Sequence, residues 1–223
     1  MFALLADELD GKTLITLYIS IGAAILLAAV IVTLCFIDKR LSSRALATAG
    51  VTLALSFVLS LFKVAPVTYG GSITLASMLP IMIFAYFYGF APALLTGVVF
   101  GLLQFISSPY VLTPLTFFLD YVLAFSCIAI VPLFKKVIKN KTWSFVVGIT
   151  AAYVFRFIMH VTSGIIYFNL GAIWAELPAN TAITYSLLYN VVYLLPDYVI
   201  TAIFGVILSA TKALEKIQAY AVK

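Results

Sequence analysis

The run Arg156-Phe157-Ile158-Met159-His160-Val161-Thr162-Ser163-Gly164-Ile165-Ile166-Tyr167-Phe168 lies inside a long apolar segment without an acidic residue, yet it holds the only histidine of the chain. Arg156 stands four residues before His160, so on a helix both side chains leave the same face. A helix crossing a bilayer cannot turn such a face to lipid cheaply. The face must look into the protein, and its partners must come from other segments.

The rest of the chain has the same apolar character. Of its 223 residues, 65% are hydrophobic and 9% charged, against roughly 45–50% and about 25% in a soluble domain. Apolar runs of roughly 18–25 residues recur, each long enough for a ~30 Å hydrocarbon layer. A β-barrel would instead show segments of about ten residues with a polar lumen face. The expected class is an all-α polytopic membrane protein. Most of the thirteen basic residues fall in three clusters, at Lys39–Arg44, Lys135–Lys141 and Lys212–Lys223. That distribution marks cytoplasmic ends of spans and gives no sign of nucleic-acid binding. Cys35 and Cys127 sit in apolar segments and read as buried thiols.

Seven spans are predicted, near residues 14–37, 44–63, 74–89, 92–107, 113–134, 143–168 and 183–209. With the N-terminus outside and the C-terminus cytoplasmic, every basic cluster falls on one side. Residues 64–73, with Pro66 and Gly70-Gly71, read as an outer loop, and Pro80 as a possible kink in the third span. In the second span Ala45 and Ala49, and Gly50 and Ala54, are four apart. Such a surface admits a close helix neighbour, either within this protein or on a partner subunit.

Helical rise gives depth. At ~1.5 Å per residue, Asp120, His160 and Asn190 each lie roughly 10–12 Å below the outer ends of their spans. Three helices thus bring polar groups to one level, which is economical for a pocket open to the outside. Tyr110, Tyr167, Phe168, Tyr185, Tyr189 and Tyr193 ring that level, and aromatic faces suit flat heterocycles and cations. An intramembrane carboxylate at Asp120 calls for a cation, a basic side chain or several donors. Arg156 and Asp197 lie deeper and are expected to form a structural ion pair; pairing of Arg156 with Asp120 competes with it. No metal-ligand spacing, nucleophile elbow or phosphate-cradling loop occurs, so neither an enzyme nor a metal or cofactor is expected.

The stretches Tyr69-Gly70-Gly71-Ser72-Ile73-Thr74-Leu75, Phe118-Leu119-Asp120-Tyr121, Arg156 to Phe168, and Tyr185-Ser186-Leu187-Leu188-Tyr189-Asn190 together resemble the thiamin-specific substrate-binding subunits of energy-coupling factor transporters. The resemblance covers about residues 42–210. It implies a six-helix core over 41–212, preceded by an extra transmembrane segment at 1–40 and followed by a basic cytoplasmic tail at 213–223. It implies high-affinity capture of thiamin from outside the cell. It also implies a complex in the cell membrane with a transmembrane coupling protein and two cytoplasmic ATPases.

By the same resemblance the thiamin-binding residues are Asp120, His160, Gly164, Phe168, Tyr185, Asn190 and Tyr110, and Ala45 and Ala49 belong to the face that docks on the coupling protein. Asp120 stands where glutamate is common, and Phe168 where tryptophan is. A shorter carboxylate and a smaller ring put the affinity and the vitamer at issue. The alternatives are a self-sufficient secondary transporter for a small organic cation, a membrane scaffold, or a subunit for a thiamin precursor or another vitamin.

Overall fold

The computed structural model describes residues 42–67, 70–171 and 177–221, with four single helical positions nearer the N-terminus, Tyr18, Gly22, Ala29 and Thr33. Apart from those four positions, the expected first span lies outside the described residues, as does Cys35. Among the described residues five helices are long and apolar enough to cross a membrane, and a sixth apolar helix is shorter. The protein is therefore an all-α polytopic membrane protein with one small hairpin.

The first described helix, α1 (Ser43–Leu61), starts at Ser42, whose hydroxyl accepts the Ala45 N–H at 3.2 Å. Most of its surface is exposed apolar side chain, including Leu46, Val51, Leu55 and Val58. Ala45, only 1% exposed, packs with Phe84 and Tyr88 of the helix α2 (Leu79–Tyr88), and Ala49 borders the same cluster. This corrects one expectation: the small surface at Ala45 serves packing inside the protein. The open small positions of α1 include Ala47, Gly50 and Ala54.

Residues 64–73 are more than a loop. Strands β1 (Lys63–Pro66) and β2 (Ser72–Thr74) pair antiparallel, with Ala65 opposite Ile73 and Pro66 opposite Ser72. Gly70 takes φ +91° between them, a value that glycine adopts without strain. Beyond β2 the chain enters the core without helical structure, and Thr74, Ala76, Ser77 and Met78 are buried. Helix α2 follows, with Pro80 in its first turn, where the missing N–H costs nothing. Pro80 thus starts a helix and does not kink one. Ten residues rise about 15 Å, half a hydrocarbon layer. The third span is therefore part extended chain and part helix, which a membrane protein tolerates only where the backbone is buried.

Gly89 turns the chain into α3 (Phe90–Ser107). The next span, α4 (Pro114–Val137), opens with Thr113 and Thr116 capping each other reciprocally. It widens to a π-helical turn at Phe118–Leu123 and tightens to a 3-10 turn at Cys127–Leu133, which contains Pro132. Two glycines of α3 permit this irregular helix to approach. A Cβ on Gly97 would meet the Phe125 carbonyl at 2.5 Å, and one on Gly101 would overlap the Tyr121 carbonyl.

Helices α5 (Lys141–Asn169) and α6 (Ala182–Ala210) have 29 residues each and pack along their length. Asn140 caps α5 through the Trp143 N–H at 3.0 Å, and Thr181 caps α6. Two glycines set their spacing. Gly164 faces Ser186 and Asn190 at one end, and Gly205 faces Ile149 at the other. The expected basic tail includes a nine-residue helix, α7 (Ala213–Ala221), whose Leu214 is buried in the core and whose Glu215 meets Lys141 at 2.8 Å.

Candidate functional site

One cavity opens between the hairpin, α3, α4, α5 and α6, with about 940 Å³ of empty space, its mouth included. Asp120, on the π-helical turn of α4, sits in its wall. The wider turn changes the direction in which this carboxylate leaves the helix; such turns are frequent at functional sites. Asp120 Oδ1 lies 2.8 Å from His160 Nδ1, and Ser163 Oγ donates to Asp120 Oδ2 at 2.5 Å. Both oxygens are thus held by α5.

Arg156, one turn before His160, directs its Nε–H to His160 Nε2 at 3.3 Å. Its Nη1 lies 3.5 Å from Asp197 Oδ2 and 2.9 Å from Met78 Sδ, and its guanidinium stands 4.6 Å from the Phe125 ring centre. Asp197 accepts from the Thr74 N–H at 3.0 Å, the Thr74 hydroxyl at 2.7 Å and the Tyr153 hydroxyl at 2.8 Å. It therefore satisfies the broken backbone beyond β2 and holds Arg156 at once. Arg156 reaches Asp120 only through His160.

The remaining walls are aromatic on one side, while Ser60, Lys63, Ser72, Gln104, Ser107 and Ser108 add a polar side. Tyr185 and Tyr189 lie nearly parallel, 6.1 Å apart with an 11° tilt, and Tyr193 meets Tyr189 edge-on at 5.5 Å. Tyr193 donates to Asn190 Oδ1 at 2.8 Å, while Asn190 Nδ2 donates to the Ser186 carbonyl at 2.8 Å. At the mouth, the Tyr167 hydroxyl donates to the Tyr110 carbonyl at 2.9 Å and the Gly71 N–H to the Tyr189 hydroxyl at 3.1 Å. Hairpin and loop are thus both pinned to cavity tyrosines.

Comparison with known proteins fits this arrangement. The family described as Thiamine transporter protein (Thia_YuaJ) matches residues 46–217. The chain belongs to that family. It is 31% identical over 175 residues to the thiamine transporter ThiT of Bacillus subtilis (strain 168), covering 74% of this chain and 86% of that one. A solved structure of ThiT from Listeria monocytogenes superposes with a TM-score of 0.65 at 25% identity, covering 79% of this chain and 98% of the other. As a member of a transporter family, the chain is a binding and transport protein and not an enzyme.

Of the residues singled out from sequence, Asp120, His160, Gly164, Tyr185, Asn190, Tyr110 and Arg156 line the cavity. Phe168 does not; it packs behind the wall, its ring 5.4 Å from Tyr185. Asp197 lies beneath the floor. Ser163, Gln104, Tyr121 and Ser60 were missed. Ser163 had a readable signal, since it is three residues past His160 and shares its face. Gln104, which donates to Ser60 Oγ at 2.8 Å, is the only glutamine within a span and was legible on that ground.

Proposed function

We propose that this chain captures thiamin with high affinity from the outer side of the cell membrane and acts as the substrate-binding subunit of an ATP-driven energy-coupling factor importer. The observation that carries the substrate is the charge balance at the buried end of the cavity. Asp120 and Asp197 bring two negative charges, and Arg156 is the one cation hydrogen-bonded or ion-paired among them. Lys63, the other cation of the lining, is exposed at the start of β1, so at the buried level one negative charge is left over, on Asp120. The thiazolium of thiamin supplies one positive charge. The tyrosine walls suit its two flat rings, and Asn190 and the Asp120–His160 pair suit the polar edge of the aminopyrimidine.

Capture from outside agrees with the basic clusters, which put the N-terminus outside, the Lys135–Lys141 loop inside and α7 in the cytoplasm. Chemistry on the vitamin is not part of this function. Release inward requires the transmembrane coupling protein and two ATPases. Exposed small positions of α1, Ala47, Gly50 and Ala54, with Ala49 at their edge, are the proposed coupling contact, since they admit a close helix.

Calorimetric titration of the purified protein tests the substrate. Thiamin, its pyrimidine half, its thiazole half, riboflavin and biotin are compared, with Asp120→Asn in parallel. Tight thiamin binding, weakened about 100-fold or more in Asp120→Asn, is expected from removing a buried charge partner. Binding of the pyrimidine half alone would reassign the substrate to a precursor. Absence of heat with every thiamin-like ligand in folded protein would end the assignment.

A further inference from the structure

Arg156 makes two different sets of contacts. Its Nη1 serves Asp197 and Met78, under the Phe125 ring. Its Nε serves His160. The first set is what an ion pair needs. The second is not, and it has a chemical consequence. An arginine N–H can only donate, so His160 Nε2 must accept. The ring proton of a neutral imidazole then sits on Nδ1, the nitrogen 2.8 Å from Asp120 Oδ1.

We infer that Arg156 is a positioning residue for the ligand site: it fixes His160 as the neutral tautomer whose Nδ1–H holds the Asp120 carboxylate. This deepens the thiamin assignment and, for its functional meaning, rests on it. A second proton on Nε2 would confront the Arg156 N–H head-on. The ring therefore stays uncharged, and the spare negative charge of Asp120 is kept for the ligand. An imidazolium in the same place would cancel that charge. His160 is faced by Asp120 from α4, by Arg156 on its own helix, and by the Tyr193 ring from α6 at 6.1 Å, with Asp197 behind Arg156. The only cation in this set is Arg156. The position of Arg156 is in turn set by Asp197, which the Thr74 N–H and hydroxyl tie to the end of β2. The state of His160 is thus linked to the hairpin at the cavity mouth.

The chain has one histidine, so the protein labelled with ¹⁵N-histidine and purified without a histidine tag gives a spectrum of His160 alone. The unliganded wild type is expected to show a protonated Nδ1 and an unprotonated Nε2; the reverse would overturn the inference whether or not thiamin binds. The second measurement is the preference for thiamin over its uncharged isostere, in which carbon replaces the thiazolium nitrogen. Arg156→Met/Asp197→Asn removes one charge of each sign, so the formal charge of the site is unchanged. A purely structural arginine would leave the preference as it was. If Arg156 fixes the imidazole, the preference should fall about tenfold, the loss expected for one charge-assisted hydrogen bond, and the Nε2 signal should shift toward the protonated form. An unchanged spectrum and preference would overturn it. Should that variant not fold, Arg156→Lys keeps the charge but lacks the Nε donor, and the same two readouts decide. Failure of the wild type to bind thiamin would strike the substrate assignment while leaving the tautomer measurement standing.

Discussion

Ser163 donates to the Asp120 carboxylate from the same helix that presents His160, one turn away, so α5 grips both oxygens of a carboxylate that α4 carries. The clasp fixes the plane of the carboxylate before a ligand arrives. Ser163→Ala should leave the fold intact and weaken thiamin binding about tenfold, the weight of one hydrogen bond to a charged group. Titration calorimetry of the variant checks this. An effect equal to that of Asp120→Asn would mean that the serine touches the ligand itself.

Gly164 should not tolerate a methyl group. An added Cβ would overlap Ser186 Oγ and come within 3.4 Å of Asn190 Nδ2. Ser186 cannot swing away freely, since its hydroxyl donates to the Val161 carbonyl at 2.7 Å. Gly164→Ala is expected to cost about 1–3 kcal/mol of stability through overpacking and to lower thiamin affinity by moving Asn190. Thermal melting in detergent measures the first effect. Gly164→Ala/Ser186→Ala should recover part of the lost stability.

Phe168 and Tyr185 should separate in an alanine scan. Tyr185 lines the cavity, whereas Phe168 stands behind it. Tyr185→Ala should weaken thiamin binding about tenfold or more, as loss of a ring contact does. Phe168→Ala should act only through the packing of Tyr185 and have the smaller effect. Equal losses in the two variants would bring Phe168 into the wall.

Glu215 offers a test by pH on the C-terminal helix α7. Its hydrogen bond to Lys141 and the lysine charge hold its carboxyl below the ordinary value of 4.5. A depressed folded value gives a contribution that is present above the unfolded value and lost as pH falls through the folded one. Hydrogen exchange of the α7 amides should therefore accelerate below pH 4.5 beyond the intrinsic trend. Glu215→Gln should show that looseness already at neutral pH and little further change on acidification. Both partners are exposed, so added salt should weaken the contact too.

The five long spans among the described residues were legible because hydrophobic length is a one-dimensional property, and the meeting of Asp120, His160 and Asn190 in one cavity was expected from helical rise alone. The direction of Ala45 was not legible. Small residues four apart look identical in sequence whether the stripe faces inward or outward, and only Phe84 and Tyr88 reveal which. The hairpin escaped because β1 and β2 hold four and three residues, too few for alternation to show. The buried extended stretch before α2 escaped for another reason: its apolar composition is that of a span. The group that makes it possible, the Asp197 carboxylate, is 123 residues away from Thr74.

The π-helical turn at Phe118–Leu123 makes the aim of Asp120 a matter of counting. A turn of this kind holds one residue more than an α-helical turn, and each residue of an α-helix advances the side chains by about 100°. Deleting a single neighbouring residue would let the segment relax to a regular helix and swing the carboxylate toward another face, without altering any ligand-facing side chain. Conversely, one inserted codon in a plain membrane helix is enough to point an existing acid inward. A pocket of this type can thus be gained or lost through a change in reading length, a route that comparisons of site residues alone would pass over.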